Sequence, residues 1–290
     1  MNAFVASLIS KMRAEGICAV LVKGQGIAQC YEKPLWRACG DVDLFLSEGN
    51  YEKAKAFLTP LASSVEKEYE REKHLGVTID GWVVELHGRL YSGLSSRIES
   101  ELDDIYVDTF NGGNVRSWNN NGVQVFQLGL ENDVFYVFTH ILQHFYKEGV
   151  GLRQICDWCR LLYTYKDTLN HNLLESRLSK AGLMSEWKAF AALAVVYLGM
   201  PIEVIPFYSD SSRWKHKASR VIDFVLETGN FGNNRDYSYR KKYPYVVYKA
   251  ISLWRHLADT YKYSLIFPLD SIKVLIRRLL VGFAAAVRGD

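Results

Sequence analysis

The chain has 290 residues, 49% hydrophobic and 23% charged, a balance that suits one large folded domain or two smaller ones and excludes a low-complexity chain. Its 35 basic and 32 acidic residues leave a formal net charge of +3, too small to predict a polyanion partner from charge alone. The longest apolar run near the C-terminus, residues 279–287, falls short of the roughly 20 residues of a membrane-spanning helix, and the stretch from Met1 to Ala14, broken by Lys11 and Arg13, lacks the pattern of a secretory leader.

In chain order, Phe4, Val5, Leu8, Ile9 and Met12 recur at helical spacing, predicting a helix to Ala14 that stops at Gly16. Ile17 to Val22 is a continuous apolar strand, and Gly24 to Tyr31 a short helix that opens just after it, with Pro34 barring any continuation. Asp41 to Leu46 reads as a second strand, and Tyr51 to Leu61 as a helix with Tyr51, Ala54, Phe57, Leu58 and Leu61 on one face.

Asp80-Gly81 is a favoured two-residue turn, so Gly76 to Ile79 and Trp82 to Leu86 are expected to form a hairpin. In its second arm Trp82, Val84 and Leu86 share one face, which packs on helices. Val83, Glu85, His87 and Arg89 share the other and look into a cleft. The polar Trp118 to Gly122 stretch reads as another hairpin tip.

From Glu131 onward the pattern is almost entirely helical, over 131–147, 151–166, 171–182, 185–199, 211–228, 244–262 and 270–288, with Asn230 to Lys242 a mobile loop. These elements predict a small N-terminal domain of strands and helices over 1–125 and a helical domain over 126–290.

Asp41 and Asp43 stand i, i+2 in an apolar run, which puts both carboxylates on one strand face, the arrangement that holds a divalent metal. Two such acids alone would read as a solvated strand edge or turn. Nucleotidyl transfer needs metal to neutralise a triphosphate and activate a hydroxyl, and acids to hold it. Glu85 on a neighbouring strand supplies a third carboxylate, as ligand or general base. Lys23-Gly24-Gln25-Gly26 lies between a strand end and a helix start, where glycine lets the backbone approach phosphate and Lys23 adds a charge. Arg37, on the loop before the acid pair, reaches toward the same phosphates.

The series Leu21-Val22-Lys23-Gly24, Arg37, Gly40-Asp41-Val42-Asp43-Leu44 and Val84-Glu85-Leu86-His87 resembles the uncharacterised bacterial nucleotidyltransferase family of the DNA polymerase β superfamily. The segment with His140, His144, Leu152-Arg153 and Asp157 is similar to that family's second region, so the resemblance covers roughly residues 15–165. It implies an α+β fold, a mixed antiparallel sheet flanked by helices and followed by an all-helical domain.

It also implies transfer of a nucleoside monophosphate from a nucleoside triphosphate to an acceptor hydroxyl on a small molecule, protein or RNA end. The cofactor is Mg²⁺ or Mn²⁺, with Asp41, Asp43 and Glu85 catalytic and metal-binding and Lys23, Gly24, Gln25, Arg37 and His87 nucleotide-binding. The superfamily commonly has Gly-Ser where this chain has Gly24-Gln25, and Asp where it has Glu85. Two other readings stay open: a catalytically idle nucleotide-binding module, and a toxin that modifies transfer RNA, which the near-neutral charge disfavours.

The remaining signals have plainer readings. Cys18, Cys30, Cys39, Cys156 and Cys159 are odd in number and mostly in apolar runs, which predicts reduced thiols in a cytoplasmic protein. Cys156-Asp157-Trp158-Cys159 has no second pair and reads as mid-helix. His140 and His144 stand i, i+4 without a metal-binding context and read as packing. The basic, apolar stretch 273–288 reads as a solvated face of a packed helix.

Overall fold

The computed structural model describes residues 1–272 other than 71, 148 and 270, together with residue 276. The chain divides into two units. The first takes in Met1–Tyr91, Glu99–Val137 and Arg160–Arg177; the second takes in Ser92–Ile98, Phe138–Cys159 and the described residues from Leu178 onward.

The first unit is built on a seven-stranded sheet. In chain order its elements are α1 (Asn2–Ala14), β1 (Ala19–Val22), α2 (Gly24–Ala28), β2 (Asp41–Leu46), α3 (Glu48–Leu58), β3 (Ser64–Val65), β4 (His74–Ile79) and β5 (Trp82–His87). Then come α4 (Ser96–Phe110), β6 (Val115–Asn120), β7 (Val123–Leu128) and α5 (Leu130–Lys147), of which residues 96–98 and 138–147 count with the second unit. The strands run β3-β4-β5-β2-β1-β7-β6. The β2–β5 and β1–β7 pairs are parallel and the others antiparallel, so the sheet is mixed and the fold is α+β.

Local chemistry sets the two hairpins. Asp80 and Gly81 take φ of 51° and 79°, and Asn121 and Gly122 take 52° and 86°, the left-handed pairs of tight two-residue turns that match strand twist. Ile79 therefore pairs with Trp82, and Asn120 with Val123.

One face of the sheet is dry. Leu21, Val42, Leu44, Val77, Val84 and Leu86 pack there with Val5, Leu8, Ile9 and Met12 of α1 and Tyr51, Ala54 and Leu58 of α3. The period-3.6 stripes of these helices meet the period-2 rows of the strands, and burying each large aliphatic side chain contributes roughly 1.5–3 kcal/mol. On the opposite face Phe45 meets Tyr106 and Phe110 of α4, with ring centroids 5.9 and 4.8 Å away.

In chain order the later helices are α6 (Leu152–Tyr165), α7 (His171–Ala181), α8 (Met184–Leu198), α9 (Ser212–Thr228), α10 (Tyr239–Lys242) and α11 (Tyr245–Ile266). The second unit is helical, and its core contains Trp187, whose ring lies 4.9 Å from that of Phe138 and 4.8 Å from that of Trp158. Within the loop expected over 230–242, Asn230–Gly232 forms a 3-10 turn and Tyr239–Lys242 forms α10, with residues 233–238 irregular between them. No helix among the described residues is long and apolar enough to cross a membrane. Most of the basic stretch 273–288 lies outside the described residues.

Several elements differ from their expected extents: α3 is shifted three residues toward the N-terminus, to Glu48–Leu58, and α11 runs on to Ile266. β1 begins at Ala19 and α2 ends at Ala28, both shorter than their apolar runs, while β4 begins at His74, two residues before Gly76. The helix α4 was not anticipated, although Ile98, Leu102 and Ile105 are buried at helical spacing.

Candidate active site

The strand β2 lies mid-sheet between β1 and β5, and its alternation sends Val42, Leu44 and Leu46 to the dry face and Asp41 and Asp43 to the other. Register then selects their neighbours. Val22 stands opposite Asp43 on one side and Glu85 on the other, so Lys23, at the end of β1, arrives beside Asp43. Its Nζ lies 2.8 Å from Asp43 Oδ1, and His87 Nε2 lies 2.9 Å from the same oxygen. Asp43 is only 2% exposed, so these contacts form largely out of water. Glu85 Oε2 stands 3.4 Å from His87 Nε2 and 3.4 Å from His74 Nε2.

The electrostatics follow from this crowding. Burial alone would lower the Lys23 pKa, but the Asp43 carboxylate beside it outweighs that effect and holds the amine above its ordinary range. Burial also disfavours a charged His87, and hydrogen bonding to Asp43 and Glu85 reverses the balance and raises it. For Glu85 burial pushes upward, yet His74 and His87 together pull the carboxyl well below the usual range. Asp41 is raised, first by burial and then by the negative charge of Asp43. Tyr136 of α5 faces Lys23, whose Nζ is 5.9 Å from its ring centre, and burial pushes that phenol up to about 12.

Backbone strain accompanies the cluster. Lys23 adopts φ 56°, ψ −147°, a region that a side chain normally avoids, and Gly24 follows at φ +43°. A Cβ on Gly24 would make only an ordinary contact, 3.6 Å from the Asp41 carbonyl oxygen, so it is the positive φ that calls for glycine. The chain thus kinks sharply between β1 and α2, at the point where Lys23 meets the acids.

The residues expected at the site are placed as follows. Lys23, Asp43, Glu85 and His87 form one contact network, and Asp41 feels the charges of Asp43, Lys23 and Glu85. Gln25 is buried; its side-chain amide donates to the Met1 sulfur and its Oε1 has no partner, so its side chain is directed to the N-terminal residue. Arg37 stands on the loop entering β2, its guanidinium donating to the Ala38 carbonyl at 3.2 Å and to Cys39 Sγ at 2.8 Å.

His74 and Tyr136 were not anticipated. A signal for His74 existed: counting back from the Asp80-Gly81 turn puts it directly opposite His87. Tyr136 carries none, because a buried tyrosine on an apolar helix face looks like core. Elsewhere, all five cysteines are free thiols, and in the second unit the Nε2 atoms of His140 and His144 lie 3.1 Å apart.

The arrangement combines carboxylates that repel one another, a charged lysine and a strained glycine turn. Repulsion among buried acids is relieved by a cation, and the oxygen donor set suits a hard divalent ion.

Comparison with known proteins gives three findings. A solved structure, described as an antigenic nucleotidyltransferase-like protein from Paracoccidioides brasiliensis, is similar at 14% identity and a TM-score of 0.38, over 62% of this chain and 90% of that one. No curated protein matches the chain. A family model described as "Uncharacterised nucleotidyltransferase" matches residues 1–199. Since that match takes in the sheet, the acid cluster and well over half of the 290 residues, the chain belongs to the family of uncharacterised nucleotidyltransferases.

Proposed function

We propose that this chain is a cytoplasmic, metal-dependent nucleotidyltransferase that moves a nucleoside monophosphate from a nucleoside triphosphate to an acceptor hydroxyl. The observation that carries the reading is the junction of β1 and β2, where Lys23 pairs with Asp43 at 2.8 Å and Glu85 stands in register beside Asp43. Free thiols at all five cysteines accord with a reducing compartment.

Asp41 and Asp43, with Glu85 as third ligand or as base, would hold Mg²⁺ or Mn²⁺. When bound, the ion neutralises triphosphate charge and lowers the pKa of the attacking hydroxyl. Lys23 stays protonated beside Asp43, so it offers a fixed positive charge to a phosphate oxygen. Gly24 would let the backbone come close to that phosphate, and Arg37, on the loop entering β2, and His87, paired with Asp43, would supply further donors. The acceptor oxygen forms a bond to the α-phosphorus, the bond from that phosphorus to the β-bridging oxygen breaks, and pyrophosphate leaves with the electron pair. The hydroxyl proton passes to a carboxylate.

The test is incubation of the purified chain with α-labelled nucleoside triphosphates, Mg²⁺ and a cell extract, followed by identification of whatever becomes labelled. Label should transfer with the native chain and not with Asp41→Ala or Asp43→Ala. Nucleotide binding by calorimetry with no transfer to any acceptor would replace this reading with that of an idle binding module.

A further inference from the structure

Two imidazoles and one carboxylate converge at the open end of the β4–β5 hairpin, each imidazole nitrogen 3.4 Å from the carboxylate oxygen. His74 Nε2 and His87 Nε2 both point at Glu85 Oε2, each from 3.4 Å, and all three donor atoms lie within 4.8 Å of one another. A charge-assisted hydrogen bond closes to about 2.7–2.9 Å, as His87 does toward Asp43 at 2.9 Å. A separation of 3.4 Å is instead the ligand-to-ligand edge of a tetrahedron around an ion with bonds of about 2.0–2.1 Å. The octahedral shell of Mg²⁺, at about 2.0–2.1 Å, would set adjacent ligands only roughly 2.9 Å apart.

The scaffold is rigid where such a site needs it. All three residues sit on paired strands, with His74 opposite His87 and Gly76 opposite Glu85; the place a side chain at 76 would fill is taken by the Glu66 carboxylate, whose Oε2 lies 2.6 Å from an ideal Cβ there. Backbone bonds from Tyr69 N to the His74 carbonyl at 2.9 Å and from Gly88 N to the Lys73 carbonyl at 2.8 Å hold the strand ends. The side chains of His74, Glu85 and His87 are 23%, 28% and 13% exposed, so the donors are shielded yet reachable.

We propose that His74, Glu85 and His87 form a site for one divalent transition-metal ion of the zinc class, coordinated through the two Nε2 atoms and Glu85 Oε2. Two imidazoles with one carboxylate and an open fourth position make up a ligand set of catalytic zinc centres. Imidazole nitrogen selects for such ions over Mg²⁺. Binding exchanges the His87–Asp43 hydrogen bond for a metal–nitrogen bond, and Asp43 keeps Lys23 at 2.8 Å. Glu85, through its second oxygen, remains able to serve the ion of Asp41 and Asp43. The site does not rest on the nucleotidyl-transfer reading, since its readout is metal binding alone.

The test uses the full chain, stripped with a chelator and titrated with Zn²⁺ and with Co²⁺ as a spectroscopic probe. One equivalent of Zn²⁺ should bind, and Co²⁺ should give the intense visible bands of a tetrahedral centre. His74→Ala should weaken binding on the order of 100-fold, while Asp41→Asn should leave it within about threefold. Zinc-edge X-ray absorption on the unmodified chain, which needs no variant to fold, should show two imidazoles in the first shell. Absence of stoichiometric Zn²⁺, a weak octahedral-type Co²⁺ spectrum, a first shell without imidazole, or unchanged affinity in His74→Ala would each overturn the proposal.

Discussion

The two faces of the central sheet share the same strands and differ in almost everything else. On β2, Val42, Leu44 and Leu46 are fully buried among aliphatic neighbours, while Asp43, one residue from each side of that row, is nearly as buried but lies among charges. Equal burial therefore means opposite things. On the dry face it stabilises through apolar area removed from water. On the charged face it imposes a desolvation cost that Lys23 and His87 offset by pairing with Asp43. The dry face makes the sheet stable enough to carry the unfavourable one.

Substitutions on either face should separate these roles. The largest effect expected is on chemistry: on the proposed reading Asp43→Ala should lower nucleotidyl transfer on the order of 10³-fold in a labelled-nucleotide assay, because it would remove a proposed cation ligand together with the partner of Lys23. If transfer survives, the charged face is not catalytic. Leu44→Ala, one residue along and facing the other way, should cost about 2–5 kcal/mol in urea denaturation through cavity formation. Loss of transfer in that variant without loss of stability would break the comparison.

The pH dependence of stability should also belong to the charged face. The Glu85 pKa is lowered on folding, so its stabilisation is present above the ordinary carboxylate range near about 4.3 and is lost as pH falls toward its folded value. The stability gap between the native chain and Glu85→Gln, measured by denaturation, should therefore narrow from pH 7 to pH 3. An unchanged gap would show that the histidines do not hold the carboxylate low.

Strain at the β1–α2 junction gives a smaller effect. With φ 56° and ψ −147° at position 23, Lys23→Gly should be more stable than Lys23→Ala by about 1 kcal/mol, since both lose the ion pair and only glycine relaxes the backbone. The smallest effect lies at the surface, where Lys55 meets Glu68 at 2.7 Å with both side chains partly exposed. Lys55→Met should change stability by roughly 0.2–1 kcal/mol, less at high salt.

Much of this was legible in residue order. The helices predicted from Glu131 to Thr228 appear within a residue or two of their expected ends, because apolar residues at 3.6-residue spacing and glycine stops are local signals. The Asp80-Gly81 turn fixed a hairpin whose register already placed His74 across from His87, yet a strand start read two residues late hid the partner. Helix α4 has a weak signal in residue order because its buried stripe of Ile98, Leu102 and Ile105 is diluted by acids along the same segment.

Sequence by itself determined the faces. Period-2 alternation put Asp41 and Asp43 together and opposite the aliphatic row, whatever the rest of the chain did. Only the tertiary structure decided who meets them. The β1–β2 and β2–β5 registers brought Lys23 and His87 onto one oxygen of Asp43, and α5 brought Tyr136 over Lys23. Packing drew Gln25 toward Met1. The physical reason is that alternation is a property of one strand, whereas register and helix placement are settled by all the contacts the strands and helices make together.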